Sequence, residues 1–260
     1  MQSADLVVEV EEQVCWLFIN RPEKMNSITM AVLEEIAAEL RRFESDSNVR
    51  AVVLGGVGGR AFCTGVDLST MAEGSSFYQL HQARARLGDL FKQMWSYPKP
   101  IMAMVDGYAL AGGFGLAAAC DFLIASAESE FGVPEINVGV WPFIITVPLL
   151  RYVNPRILLE LMMTGRRFPA DEALRIGVAN WVVPRAELAS AARLHLAELT
   201  SKSSAILSLG KASFYRAMEM DSSSALVYLQ SMLSLVTQLE DSHEGLEAFS
   251  QKRSPLWRDR

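Results

Sequence analysis

The chain predicts an α/β fold with a helical C-terminal region, on three observations. Short apolar runs typical of buried strands alternate with segments whose apolar residues recur at three and four spacing. The strand–strand–helix order of the first part implies crossover units with parallel pairing. After Trp181–Val183 strand signals become few and consecutive helical segments take over. The 260 residues, half of them apolar, suffice for one large domain or a domain with an appendage.

In order, Leu6–Val10 and Val14–Ile19 flank Glu11-Glu12-Gln13 as a β-hairpin. Asn20 to Ser27 is a loop with Pro and Asn turn chemistry. From Thr29, Leu33, Ile36, Leu40 and Phe43 mark an amphipathic helix that ends near Ser45–Ser47. Val49–Leu54 is a buried strand. Gly55 to Ala61 contains a G-x-G-x-x-A match, but no helical period follows, so a dinucleotide site is disfavoured. Tyr78–Trp95 is a long helix with Leu80, Leu87, Leu90, Phe91 and Met94 on one face, and Ile101–Val105 and Phe122–Ala125 are strands. Ala186–Thr200, Ala205–Glu219, Ser222–Leu239 and His243–Lys252 are helical. Leu226, Leu229, Met232, Leu233 and Val236 form a stripe of the kind that is buried against a core or another subunit. The expected division is a core over residues 1–199 and a helical oligomerisation region over 200–260.

The 24 Lys and Arg against 30 Asp and Glu give a formal charge of −6, which offers no general attraction for nucleic acid or an anionic membrane. Apolar stretches are too short and interrupted for a membrane span, and no signal peptide is evident at the N-terminus. A cytoplasmic protein is expected. Cys15, Cys63 and Cys120 lack metal-like spacing and read as free thiols, and no metal is expected.

The chemistry centres on Asp106–Gly139. Gly107, Gly112 and Gly113 make a flexible turn before a small-residue helix, where free backbone N–H groups can meet a developing anion. Glu135 is a lone carboxylate in the otherwise apolar PEINVG turn. It could be a proton carrier, or it could cap the chain or pair with a basic residue. Cys63 with His81 or His195 could form a nucleophilic pair, although a buried inert thiol is the plainer role. The three histidines, His243 included, fall on polar helical segments and are expected in solvent.

Together INRPEKMNSIT, RAFCTGVDL, DGYALAGGFGLAAACD, FGVPEINVG, TGRRFPADEALRIGVANWVV and AFSQKRSP, in this order, resemble the crotonase superfamily, the enoyl-CoA hydratase/isomerase family. The resemblance implies a crotonase-like spiral of ββα units, whose C-terminal helices build a homotrimer or hexamer. It implies an acyl-CoA thioester substrate and no separate cofactor. By position, the backbone N–H groups of Val66 and Gly112 would form an oxyanion hole for a thioester enolate, with Gly112 bare of a Cβ so that the thioester can approach. Lys24, Met25 and Thr64 would lie against the adenine of CoA, with Asp67 bracing the loop. Phe249 and Lys252 would close over CoA from a neighbouring subunit.

The family's hydratases deliver water with two glutamates. The first position is Gly115 here, while the second is present as Glu135. The hydrolases of the family that share the glycine carry an Asp where this chain has Phe143, and Trp141 with Phe143 reads either as a dry acyl pocket or as core. One glutamate in an apolar pocket fits double-bond isomerisation, in which the same carboxylate takes a proton from C2 and returns it at C4. One-glutamate hydration and a catalytically silent CoA-binding or scaffold role are the alternatives. RNA binding is disfavoured by the acidic balance.

Overall fold

A computed structural model describes residues 5–67 and 76–260. Leu68, the last residue of the RAFCTGVDL motif, lies outside the described residues. Two sheets organise the core. The larger runs β1 (Leu6–Glu11), β2 (Val14–Ile19), β3 (Ala51–Gly56), β5 (Ile101–Val105), β7 (Phe122–Ser126) and β10 (Trp181–Val183), in that spatial order. β1 and β2 form the antiparallel hairpin, and the remaining pairs are parallel. The smaller sheet runs β4 (Ala61–Cys63), β6 (Tyr108–Leu110), β8 (Glu130–Gly132) and β9 (Arg167–Pro169).

The central strands are buried on both faces, which is why they read as continuous apolar runs. Side chains alternate along each strand. Cys15, Leu17, Ile19, Val52 and Leu54 enter the main core. Val14, Trp16, Ala51, Val53, Met102 and Ile124 enter a second cluster. Leu188, Ala192 and Leu196 of α7 (Leu188–Thr200) complete that cluster. The main core is covered by α1 (Met30–Glu44) and α2 (Phe77–Ser96). Thr29 caps α1 by accepting the Val32 N–H at 3.2 Å, and Ser76 with Gln79 forms a reciprocal capping box on α2. Only the C-terminal half of α2 reaches the core, through Leu87, Leu90, Phe91 and Met94, while Phe77 and Tyr78 are exposed.

α3 (Gly112–Ala118) is wholly buried between the sheets. The strand expected to feed it directly, β5, is separated from it by β6, because Gly107 (φ +77°) turns the chain into the smaller sheet first. Beyond β8 come α4 (Phe143–Leu150), α5 (Pro155–Thr164) and α6 (Ala170–Arg175). No described helix is long and apolar enough to cross a membrane. Then α8 (Ser204–Ala217), α9 (Ser222–Val236) and α10 (Glu240–Gln251) follow. The apolar stripe of α9 is not buried within the chain: Leu226 is 71% and Leu233 64% exposed. The stripe's Leu229, Met232, Leu233 and Val236 line one side of an apolar groove whose other side is α8, through residues such as Leu209 and Phe214.

Candidate active site

The site is built at one end of the smaller sheet. β4, β6 and β8 are parallel neighbours, so their C-terminal ends open on the same side. Adjacent strands lie about 4.8 Å apart, and the loops that leave them emerge side by side. Val66 is three residues past β4, Gly112 two past β6 and Glu135 three past β8. Leu110 pairs with Gly132, and the Ala111 N–H donates to the Gly132 carbonyl at 2.9 Å, tying the second loop to the third. A crevice beyond the carboxyl ends of parallel strands is where open α/β sheets place ligands.

Val66 and Gly112 meet. A Cβ on Gly112 would lie 3.5 Å from Val66 Cγ2 and 3.6 Å from the Gly65 Cα. Val66 forms a parallel bridge with Ile28, in which Ile28 N–H donates to the Gly65 carbonyl and Asp67 N–H to the Ile28 carbonyl, each at 2.9 Å. That pattern uses the residues on either side of Val66 and turns its own N–H away from Ile28. Gly112 is the first helical residue of α3, where the N–H has no partner within the helix. Neither N–H has a backbone acceptor among the described residues.

Ala111, just before, has φ +50° and ψ −131°, an uncommon conformation for a residue with a side chain. Backbone strain therefore sits where the second loop meets the site. Packing within the chain leaves room for a Cβ on Gly112, since the contacts at 3.5–3.6 Å are ordinary ones, so the expected need for a glycine there concerns the approach of a thioester alone. Its neighbour Gly113 has no such room, because a Cβ there would fall 2.2 Å from the Cys63 carbonyl oxygen.

Glu135 sits in a 3₁₀ turn, Pro134–Val138, closed by Gly139 at φ +75°. Asn137 Nδ2 donates to the Gly165 carbonyl at 3.4 Å, fastening the turn to the end of α5. Glu135 Oε2 is buried without a hydrogen-bond partner among the described residues, and no ion pair there reaches it. Burial pushes its carboxyl above the ordinary range, and a bond from its own backbone N–H only partly opposes this. The alternative that Glu135 pairs with a basic residue finds no support among the described residues.

The first loop comes to the same end. Lys24 is exposed at the close of the 3₁₀ turn Pro22–Lys24, and Met25 follows at φ +52°. Thr64 Oγ1 donates to the Met25 carbonyl at 3.2 Å. Arg21 joins the loops, donating from Nη1 to the Ser27 carbonyl at 2.6 Å and pairing with Asp67 at 3.2 Å. Buried Asn26 donates to the Val57 and Ala61 carbonyls and accepts from Arg21 N–H. Arg21 and Asn26 are organising residues that the sequence reading passed over; their signal was a charged residue and an amide bracketing the turn.

Phe249 and Lys252 are not brought to these loops by hydrogen bonds of their helix. Phe249 is 86% exposed, and Lys252 ends α10 at φ +53°. α10 is held instead to the C-terminal tail, where Asp241 accepts the Arg258 and Asp259 N–H groups at 2.7 and 2.9 Å. Phe143 is 75% exposed at the start of α4, while Trp141 packs against the core, so these two aromatic residues do not share one buried surface. Cys63 is buried, and burial pushes its thiol up to about 12, which leaves it inert. His195 departs from expectation: it is half-buried, with its ring stacked 3.9 Å from Trp181. No group of acidic, His and Cys residues suited to a metal occurs among the described residues.

Comparison with known proteins gives one answer. The profile described as Enoyl-CoA hydratase/isomerase matches residues 9–260. A short-chain-enoyl-CoA hydratase of Clostridium acetobutylicum is 33% identical over 97% of each chain. A carnitinyl-CoA dehydratase of Proteus mirabilis is 34% identical, with 99% of this chain and 100% of that one covered. The crystal structure of an enoyl-CoA hydratase from Mycobacterium smegmatis superposes with a TM-score of 0.94 at 32% identity, covering 98% of this chain and 99% of that one. The chain has the crotonase fold and belongs to the enoyl-CoA hydratase/isomerase family, the crotonase superfamily.

Proposed function

We propose that the protein binds an acyl-CoA thioester, holds its enolate between the Val66 and Gly112 N–H groups, and shifts an enoyl-CoA double bond with Glu135 as the single acid/base. The observation that carries this reading is the buried Glu135 Oε2, without a hydrogen-bond partner among the described residues, on a loop that leaves the same sheet end as those of Val66 and Gly112, whose N–H groups have no backbone acceptor there. Fixed donors aimed at developing charge are each worth about 3 kcal/mol in a transition state. A carboxyl raised by burial is better matched to taking and returning a proton near neutral pH than an ordinary one. Position 115, which would carry a second acid, is Gly. Lys24, Met25 and Thr64 would meet the adenine of CoA, with Asp67 holding their loop through Arg21. Phe249 and Lys252, exposed on α10, would reach CoA in a neighbouring copy of a trimer or hexamer. Coenzyme A enters as part of the substrate, and no further cofactor is invoked.

Hydration of a 2-enoyl-CoA is the second reading, favoured by relatives named as hydratases. Rates on trans-3-hexenoyl-CoA and crotonyl-CoA separate the two. Isomerisation outpacing hydration is expected, and the reverse order would move the assignment to hydration. Acyl-CoA binding with neither activity would leave a silent member of the family.

A further inference from the structure

We infer that Ile145 is a specificity-determining residue: it occupies the volume that a side chain at position 115 needs, closing the site to a second acid and to the water such an acid would hold. This rests on the single-acid reading above. α3 and α4 cross at this pair. A Cβ built on Gly115 would lie 2.2 Å from Ile145 Cγ2, 2.6 Å from its Cβ and 3.4 Å from its Cα. Ile145 is 3% exposed. Gly115 is thus more than a missing carboxylate, because not even alanine fits opposite this isoleucine.

The isoleucine is poorly placed to move aside. A β-branched side chain in a helix has one strongly preferred rotamer. α4 is also fixed by neighbours: Leu149 is fully buried, and Thr146 Oγ1 donates to the Pro142 carbonyl at 2.8 Å. Replacing Ile145 by alanine leaves a Cβ where the 2.6 Å overlap occurs, so only glycine clears the space. The flanking surface is apolar too, with Leu87 Cδ2 and Val66 Cγ2 beside Gly112. A water at position 115 would meet the Ile145 side chain first and not a polar group. On a wall of this kind an enolate is reprotonated by Glu135 and not met by a second, carboxylate-bound water.

The test has a substrate-free arm and a catalytic arm. In the first, melting temperatures are measured for Gly115→Ala in the wild-type, Ile145→Ala and Ile145→Gly backgrounds. The loss caused by Gly115→Ala is expected to fall by at least about half in the Ile145→Gly background and much less in the Ile145→Ala one. Equal losses in all three backgrounds would overturn the inference. In the second, the ratio of crotonyl-CoA hydration to 3-hexenoyl-CoA isomerisation is expected to rise at least about tenfold in folded Gly115→Glu/Ile145→Gly and to stay near wild type in Gly115→Glu alone. The same rise in the single variant would show that Ile145 sets nothing. Should wild type prove to hydrate and not isomerise, the single-acid reading fails, while the melting cycle still decides whether Ile145 closes position 115.

Discussion

Lys211→Met tests what holds the C-terminal helices to the end of α3. Asp121 lies between α3 and β7, and its carboxylate is saturated from three directions. Lys211 Nζ donates to Oδ2 at 2.6 Å, Ile101 N–H to Oδ2 at 2.7 Å and Tyr215 OH to Oδ1 at 2.8 Å. Lys211 also donates to the Lys99 carbonyl at 2.9 Å. Lys211 and Tyr215 are four apart on α8, so both face the core together. Each side chain of the ion pair is 11% exposed. Burial pushes the Asp121 carboxyl up and the Lys211 ammonium down, and each charge opposes the shift of the other. Methionine leaves the carboxylate buried without its cation, at a cost of about 3–5 kcal/mol. For a chain of this size that corresponds to a fall in melting temperature of about 6–20 °C. Thermal melts at one fixed protein concentration check it, since assembly would otherwise shift the midpoint. Asp121→Asn/Lys211→Met should lose less than the sum of the single variants, because neither charge is then stranded. A loss below about 1 kcal/mol in Lys211→Met would refute the reasoning and class the pair with exposed ion pairs.

Three further predictions concern titration. Because burial raises the Glu135 carboxyl, its proton is held more tightly in the folded than in the unfolded state. Stability from this group therefore falls as pH rises from the ordinary Glu value through the raised one, then stays lower. Glu135→Gln should melt above wild type at neutral pH, and the gap should close as pH drops below the ordinary Glu value; a gap independent of pH contradicts the assignment. The acid limb of wild-type activity should likewise lie above the ordinary carboxylate range. Burial pushes Cys15 and Cys63 up to about 12 and Cys120 higher still, so the native protein should resist a thiol reagent at pH 8 and react at all three after unfolding. Prompt labelling of Cys63 in the native state would reopen its role as a nucleophile.

What was legible in the sequence was whatever repeats locally. The hairpin, α1 behind its Thr29 cap, β5 and the four C-terminal helices each carry a period or a cap that is visible within a few residues. β4, β6 and β8 are three residues long, too short to show alternation, yet they aim all three site loops. α4 was hidden because it is almost uniformly apolar and contains Pro148, which reads as a break. The candidate site residues rest on resemblance, since nothing local marks Val66 as a donor. Contacts between distant segments, such as Gly115 with Ile145 and Asp121 with Lys211, leave no local trace. Gly113 is a further case: nothing local says that a Cβ there would fall 2.2 Å from the Cys63 carbonyl oxygen.

The central claim is that one carboxylate, Glu135, moves the proton of an enolate held by Val66 and Gly112. Incubating trans-3-hexenoyl-CoA with the enzyme in D2O and following C2, C3 and C4 by NMR tests it most directly. Wild type should yield 2-hexenoyl-CoA before any 3-hydroxyacyl-CoA, and Glu135→Gln, folded by circular dichroism, should be slower by about 10²–10⁴. Dominant 3-hydroxyacyl-CoA, or an unchanged rate in Glu135→Gln, would contradict it.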